Sequence, residues 1–594
     1  MCGIVGYLGD SNAKDIVLEG LHKLEYRGYD SAGISLYNLE AGVFDMFKDK
    51  GRVDHLASLL QDVHGSTVGI GHTRWATHGK VNRANAHPHL SSSKRFIVVH
   101  NGVIENYRML KRDFLSHVRL ESETDTEVIV HLIEMFAQTM EAPEAIHETL
   151  KLLEGSYALL VLDQQRPNRL IAAKNKSPLL IGRSDRGYIV ASDLMALGKH
   201  SADYAPLEDY TMTVIERDKL AIYNRDYIEA TLAFEPMDFD EDSAERGPYP
   251  HFMLKEIMEQ PLVVRKILSH YFDEETLVIN EAIVHDLRES DRIHILAAGT
   301  SMHAGLIGKH LFKILTGKPV EVHIASEFAY NPPALSDKPA FLMISQSGET
   351  ADLRACMSHI REVNQPVVTL TNVRTSTLAR EADHKMELLA GPEIAVASTK
   401  AYTAQLVVLT LLAYAVGKQR FNIKQELSTL AHAMETYLAK YERIDTLAKT
   451  VLTKPNAFYI GRGLDYAVAL EAALKLKEIS YIHAEGFAAG ELKHGTIALI
   501  EENTPVFGII SDKRIALNTR SNLDEVKSRG ARTVIIALES LSEEEDDIVL
   551  PDVHPLLVPV MTVLPTQLIA YYAALHRGCD IDKPRNLAKS VTVE

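Results

Sequence analysis

The strongest constraint on the fold is a strand–turn–helix pattern that occurs in two separate stretches of the chain. In the first, Arg292-Ile293-His294-Ile295-Leu296 is followed by Ala298-Gly299-Thr300-Ser301 and then a helical pattern. Phe341-Leu342-Met343-Ile344 likewise ends in Ser345-Gln346-Ser347-Gly348-Glu349-Thr350, and Val367-Val368-Thr369-Leu370-Thr371 is a third apolar run. After residue 450 the pattern returns: Phe458-Tyr459-Ile460 leads to Gly461-Arg462-Gly463, followed by apolar runs at 506–510 and 533–537. Continuous rather than alternating apolar runs mark strands covered on both faces, and helices between them imply a parallel, doubly wound sheet. Two related α/β domains are therefore expected, with helical sequence near 400–450 between them. Their likeness is one of pattern, not residue identity.

Residues 1 to about 235 read differently. Short runs such as Gly33-Ile34-Ser35-Leu36-Tyr37 and Phe96-Ile97-Val98-Val99-His100 are separated by Gly- and Asn-containing turns, with helical patterns such as 125–136 between them. Strands in series with a few helices predict a layered α+β domain. Residues 235–250 are acidic and carry Gly and Pro, which suits a linker. The expected division is 1–235, a linker at 236–250, 251–425, 426–580, and a tail at 581–594.

A chain of 594 residues with 46% hydrophobic residues has room for several cores. Its net charge of −17 argues against a basic nucleic-acid footprint. Three widely spaced cysteines, Cys2, Cys356 and Cys579, give neither a disulfide framework nor a zinc knuckle. The start lacks a basic n-region and an h-region, 556–575 carries Pro559, Pro565 and Gln567, and 406–416 is too short to span a bilayer. A cytoplasmic protein with no membrane partner is expected.

Cys2 follows the initiator methionine directly. Removal of Met1 places a thiol and a free α-amine on one carbon, and the amine can take the thiol proton near neutral pH. The competing reading is a frayed terminal residue. Four segments bear on the choice. Gly71–Gly79 holds Arg74, suited to clamping a carboxylate, together with Trp75, Thr77 and His78. His87-Pro88-His89 adds histidines whose irregular spacing does not read as a metal set. His100-Asn101-Gly102 offers an amide and an N–H to an oxyanion, or is simply a turn. Ser122–Glu127 supplies acids for an amino group, or is a helix start.

Together Cys2-Gly3-Ile4, Arg74–Gly79, His100–Gly102 and Ser122–Glu127 resemble the glutaminase domain of class II amidotransferases, which are N-terminal-nucleophile hydrolases of layered αββα fold. The resemblance implies Cys2 as the nucleophile on glutamine and Asn101 and Gly102 as the oxyanion hole. It implies Arg74 on the substrate α-carboxylate, Asp125 on its α-amino group, and Thr77 and His78 lining the pocket.

The acceptor has to come from the remaining chain. Ser345–Thr350 joins a strand to a helix and offers hydroxyls and N–H groups to a phosphate, although an unliganded cap reads the same way. Thr300-Ser301 and Val396-Ala397-Ser398-Thr399 are similar turns. No nucleotide P-loop is present, and Gly461-x-Gly463 lacks the full dinucleotide fingerprint. In the apolar helix expected at 471–481, Glu471, Lys475 and Glu478 share one face. Surface salt-bridging is the usual meaning of that spacing, but here the face is apolar enough to be buried. His494 follows in Glu491-Leu492-Lys493-His494-Gly495, and Lys589 stands five residues from the C-terminus.

Ser345–Thr350, Val396–Lys400, Glu491–Gly495 and Lys589–Glu594 together resemble the glutamine–fructose-6-phosphate aminotransferase (isomerising) family over essentially the whole chain. The family implies two sugar-isomerase-type α/β domains after the glutaminase, with L-glutamine and fructose 6-phosphate as substrates and no metal or cofactor. By that resemblance Ser345, Gln346, Ser347 and Thr350 hold the sugar phosphate, and Thr300, Ser301, Val396 and Ser398 complete the pocket. Lys589 forms an imine with the open-chain ketose, and Glu478, beside Lys475, moves the proton between C1 and C2. His494, from the neighbouring subunit of a homodimer, assists ring opening, and Trp75 gates an ammonia channel. Thr496 stands where the family commonly has proline, and the long insertion of eukaryotic members is missing, as in the bacterial form. The phosphoribosyltransferase and ATP-pyrophosphatase loops of other class II amidotransferases are not found. A sugar-phosphate sensor that binds without reacting is the competing reading from outside the enzymes.

Overall fold

The computed structural model describes residues 2–63, 65–76, 78–237, 245–418 and 421–592. The chain divides into two compact units, Met1–Ser243 with Ser590–Glu594, and Ala244–Lys589.

The first unit is built on two antiparallel sheets. One runs in the order Glu235–Pro236, Asp203–Pro206, Leu180–Ser184, Gly187–Ala191, Gly3–Gly9, Val68–Arg74, Ser31–Asn38, Val43–Lys50. The other runs Glu229–Ala230, Lys219–Tyr223, Thr211–Glu216, Arg169–Asn175, Gly155–Asp163, Phe96–Ile104, His89–Leu90. Period-two alternation assigns the faces. Ile4, Leu8 and Ile70 meet Ile97, Val99 and Leu160 between the sheets. Val5 and Tyr7 point the other way, onto Val17 and Leu21 of helix Ala13–Leu24. That helix starts where the Asn12 side chain accepts the Lys14 N–H at 3.2 Å. On the far side Val98 and Leu159 pack on Val128, Ile129 and Leu132 of helix Thr126–Phe136. The result is helix, sheet, sheet, helix, as the sequence led us to expect. Each such buried aliphatic or aromatic side chain contributes about 1.5–3 kcal/mol relative to exposure.

The linker expectation needs correction at its start. Glu235–Pro236 extends the first sheet by pairing with Asp203 and Tyr204, so ordered structure continues past 235. Residues 238–244 of that segment lie outside the described residues.

The second unit contains two five-stranded parallel sheets. Their orders are Val320–Ile324, Arg292–Ala297, Pro339–Ser345, Val367–Thr371, His384–Glu387, and His483–Ala488, Asn456–Gly461, Pro505–Ile510, Arg532–Leu538, Ile548–Leu550. Both follow the same doubly wound order, in which the chain reverses direction of travel between the first strand and the third. A crevice opens at the carboxyl ends of the strands at that reversal. In the first sheet the two segments that flank it are Gly299–Ser301 and Ser345–Thr350.

Helices Lys400–Val416, Ile423–Leu438 and Arg443–Val451 occupy the stretch between the sheets. Helix Val558–His576 is long and apolar enough to cross a membrane, and 94% of an 18-residue window of it is buried within the protein. Pro559 lies in its first turn and Pro565 inside it, and the helix continues through both. The helix predicted at 471–481 spans Leu464–Ser480 and ends at Tyr481, whose φ is 60°.

Candidate active sites

In the first unit, pairing of Gly3 with Thr73 brings Cys2 alongside the end of the Val68–Arg74 strand. The Trp75 N–H donates to Cys2 Sγ at 3.2 Å. Burial pushes the thiol up, and the Trp75 N–H and the Arg74 guanidinium oppose it without cancelling it. Asn101 Nδ2 donates to the Cys2 carbonyl at 3.0 Å. Its Oδ1 is buried with no partner among the described residues. Gly102 has φ +134°, and a Cβ there would lie 2.0 Å from the Ser156 carbonyl oxygen, so this backbone accepts glycine alone.

Arg74 donates to the carbonyl of His78 and, at 3.4 Å, to that of Lys80. Asp125 precedes helix Thr126–Phe136 but does not cap it; its Oδ2 accepts the Ile104 N–H at 2.8 Å, next to the Asn101-Gly102 backbone. Trp75 meets Tyr29 edge-on at 5.8 Å and His78 meets Tyr107 edge-on at 5.5 Å. Thr77 lies outside the described residues.

Several supporting residues were not anticipated. Asp30 Oδ2 accepts the Ala76 N–H at 2.9 Å. Glu123 Oε2 accepts from Lys80 N at 3.1 Å and Asn85 Nδ2 at 3.0 Å, stapling the Arg74 loop to the Ser122–Glu127 segment. Glu127 takes the N–H groups of Glu121 and Ser122 at 2.7 and 2.6 Å. Burial works against its charge, but these donors, the Ser122 hydroxyl and His131 hold the carboxyl down to about 2. Two nearby histidine nitrogens are engaged in hydrogen bonds: His72 Nε2 with the His100 carbonyl at 2.9 Å, and His89 Nε2 with Thr124 Oγ1 at 3.1 Å.

In the second unit the hydroxyl-rich turns at 300–301 and 345–350 flank the crevice of the first sheet. Ser345 Oγ accepts the Gly348 N–H at 3.0 Å and lies 3.0 Å from Thr350 Oγ1. Gly348 has φ +67°, and a Cβ would lie 1.9 Å from Ser376 Oγ, so the loop is folded too tightly for any other residue. Ser347 Oγ accepts the Glu349 N–H at 3.2 Å, and the Gln346 carbonyl accepts the Asn372 N–H at 3.1 Å. Ser301 Oγ accepts from Gln405 Nε2 at 2.9 Å. The Val396 N–H donates to the Asp582 carbonyl at 2.9 Å, and Ser398 Oγ donates to Glu393 Oε2 at 2.9 Å.

The side chains of Lys475 and Lys589 are both buried in this unit, as is that of Lys400, which Glu259 Oε2 holds at 2.7 Å. Lys475 Nζ donates to Glu478 Oε2 at 2.6 Å and to Thr300 Oγ1 at 3.0 Å, with Glu471 at 3.6 Å. Glu471 is also held by His303 Nδ1 at 2.7 Å. Burial drains charge from Lys475, and Glu478, Glu471 and Glu393 outweigh it, so the ammonium is held above its usual range. Lys589 Nζ donates to Glu393 Oε2 at 2.5 Å and the Ala395 carbonyl at 2.8 Å. Glu393 also takes the Thr399 and Ala401 N–H groups, at 2.9 and 3.0 Å, at the start of helix Lys400–Val416.

Glu393 and Glu256 were missed in the sequence. Glu256 Oε1 accepts the Ile394 and Ala395 N–H groups at 2.5 and 3.1 Å, and its Oε2 is buried with no partner among the described residues. Burial and the neighbouring Glu393 push its carboxyl up to about 8. His494 lies exposed on the Glu491–His494 turn. Among the described residues no hydrogen bond or ion pair joins it to Lys475, Glu478 or Lys589. Gly495, next to Thr496, has φ 152°.

An N-terminal-nucleophile sheet pair and a doubly wound pair with buried lysines at a hydroxyl-lined crevice define a glutamine amidotransferase joined to sugar-isomerase-type domains. A glutamine amidotransferase domain model matches residues 72–199, and a SIS domain model matches 286–415 and 452–577. Glutamine–fructose-6-phosphate aminotransferase [isomerizing] of Listeria monocytogenes is 54% identical over 603 aligned positions covering 100% of both chains. The Bacillus subtilis protein of the same name is 52% identical over 602 positions, again covering both chains fully. The solved C-terminal domain of glucosamine-fructose-6-phosphate aminotransferase from Francisella tularensis covers 57% of this chain and 99% of its own, at 34% identity and TM-score 0.53. The chain belongs to the glutamine–fructose-6-phosphate aminotransferase [isomerizing] family, and it is an enzyme.

Proposed function

We propose that this chain releases ammonia from L-glutamine and uses it to convert fructose 6-phosphate into glucosamine 6-phosphate. Once Met1 is removed, the Cys2 amine takes the thiol proton and Sγ attacks the side-chain amide carbon. Asn101 Nδ2 and the Gly102 N–H stabilise the oxyanion, Arg74 holds the α-carboxylate and Asp125 the α-amino group, with Thr77 and His78 at the pocket wall. The amine returns its proton to the departing ammonia, and water cleaves the thioester to glutamate.

At the sugar, Ser345, Gln346, Ser347 and Thr350 bind the phosphate, and Thr300, Ser301, Val396 and Ser398 close the pocket. Lys589 loses its proton and condenses with the C2 ketone, expelling water. Ammonia then displaces the lysine, and Glu478, steered by Lys475, moves a proton from C1 to C2. Trp75 gates the passage of ammonia, which in water at neutral pH is mostly protonated and not nucleophilic.

The observation that carries this reading is the position of Lys475 and Lys589, two of the buried lysines of the isomerase-type unit, each held by a carboxylate. A sensor that only binds a sugar phosphate has no use for a desolvated amine on the C-terminal tail. The exposed position of His494 fits a homodimer in which it serves the neighbouring subunit's site. The domains divide as 1–235, 251–425, 426–580 and a catalytic tail at 581–594, the first extended by the Glu235–Pro236 strand. Three cysteines, none of them in a disulfide, suit a cytoplasmic protein.

Purified protein given glutamine and fructose 6-phosphate is expected to yield glutamate and glucosamine 6-phosphate one for one. Glutamate without amino sugar would sink the acceptor. Mixing His494→Ala and Lys589→Ala subunits tests the crossing: partial recovery of synthase activity is expected, and none contradicts it.

A further inference from the structure

His294, Glu321 and His323 form a cluster with no part in the chemistry above. His294 lies on Arg292–Ala297, and Glu321 and His323 lie two residues apart on the neighbouring parallel strand Val320–Ile324. His294 pairs in register with Glu321, so the i, i+2 spacing turns both side chains to the face that His294 occupies. The donor atoms converge. His294 Nδ1 is 3.0 Å from His323 Nε2, Glu321 Oε2 is 3.5 Å from His323 Nε2, and Glu321 Oε2 is 3.9 Å from His294 Nδ1. Two ligands bound at about 2.0–2.1 Å in a tetrahedron stand ~3.3 Å apart. The three separations bracket that value.

The surroundings orient the donors. Arg292 holds Glu321 by Oε1, leaving Oε2 for the two imidazoles. The Phe341 ring stacks on His294 at 5.3 Å, and Phe328 meets His323 edge-on at 5.4 Å. The other charged groups acting on the histidines are Arg292, Asp291 and Lys309. Val320–Ile324 is an edge strand, and Glu321 and His323 are only half-buried, which leaves a route for an ion and room for water as fourth ligand.

We propose that His294, Glu321 and His323 bind one divalent first-row transition ion, Zn²⁺ above all, which fastens the edge strand Val320–Ile324 to its neighbour. Two nitrogens and one carboxylate oxygen suit Zn²⁺, Co²⁺ or Ni²⁺ and do not suit Mg²⁺ or Ca²⁺, which take oxygen sets.

The test uses the full chain, carrying Cys2→Ser and Cys579→Ser to remove the two half-buried thiols, stripped with chelator and titrated with ZnCl₂ by calorimetry. One equivalent is expected to bind, with a rise in melting temperature. X-ray absorption of the loaded protein should show two imidazoles and no sulfur. His323→Ala and Glu321→Gln should each weaken binding by at least ~10-fold, the least that even a lost outer partner costs. Should His323→Ala fold poorly, His323→Gln keeps most of the bulk. Absence of a bound equivalent, or binding that all these variants leave unchanged, overturns the proposal.

Discussion

Glu127 in the first unit and Glu256 in the second are both buried glutamates that accept two backbone N–H groups, yet they are driven in opposite directions. Glu127 spreads its donors over both oxygens and gains the Ser122 hydroxyl and His131. Glu256 receives both N–H groups on one oxygen and faces the negative charge of Glu393. What decides the outcome is how the lone pairs are satisfied and which charge stands next door, not burial alone. The same contrast runs through the two sites. Around Cys2 the partners are mainly neutral dipoles, the Trp75 N–H and the Asn101 amide, with one guanidinium nearby. Around Lys475 and Lys589 they are carboxylates.

The largest effects should come from removing the nucleophiles. Cys2→Ala is expected to lower glutamate formation by on the order of 10⁴-fold. Lys589→Ala should keep glutamate formation and lose amino sugar to the same degree. If Lys589→Ala also abolished glutamate formation, the two sites could not be treated as separable. Next, Lys475→Met leaves Glu471 and Glu478 without their shared cation, and should cost about 3–5 kcal/mol in denaturant unfolding. A loss under about 1 kcal/mol would mean that water or protonation already neutralises those acids.

Much of this was legible because it was local. Cys2 follows Met1 in the chain itself, and the segment Ser345–Thr350 is expected, and is found, between an apolar strand and a helix. Glu471, Lys475 and Glu478 share a helical face whatever the tertiary fold, and Lys475 does lie 2.6 Å from Glu478. Glu393 was not legible, because Gly391-Pro392-Glu393 reads as loop and its partner Lys589 lies 196 residues away. Glu256, Asp30 and Asn85 escaped for the same reason, since each stabilises a backbone distant in sequence. Pro565 lies inside helix Val558–His576, where packing on every side holds the helix together through it.

The two glutamates give the next predictions. Folding depresses the Glu127 pKa, so its contribution is complete above about pH 4.5 and is lost as pH falls toward 2. Glu127→Gln should cost about 2–3 kcal/mol at pH 7, a difference that shrinks through that window in pH-dependent unfolding of the first unit. Folding raises the Glu256 pKa, so its ionisation costs stability as pH rises from about 4.5 to 8. Glu256→Gln removes that penalty and should flatten the alkaline fall in stability of the second unit, by about 1–2 kcal/mol at pH 8. Parallel pH slopes for the two variants would erase the contrast between the glutamates.

The most direct test of the central claim follows the nitrogen. The protein is given glutamine labelled with ¹⁵N in the amide, fructose 6-phosphate and excess unlabelled ammonium, and the glucosamine 6-phosphate is read by mass spectrometry. The account predicts amino sugar carrying ¹⁵N in step with glutamate, whatever the ammonium outside. Amino sugar with nitrogen drawn from the medium, or glutamate with no amino sugar, would contradict it.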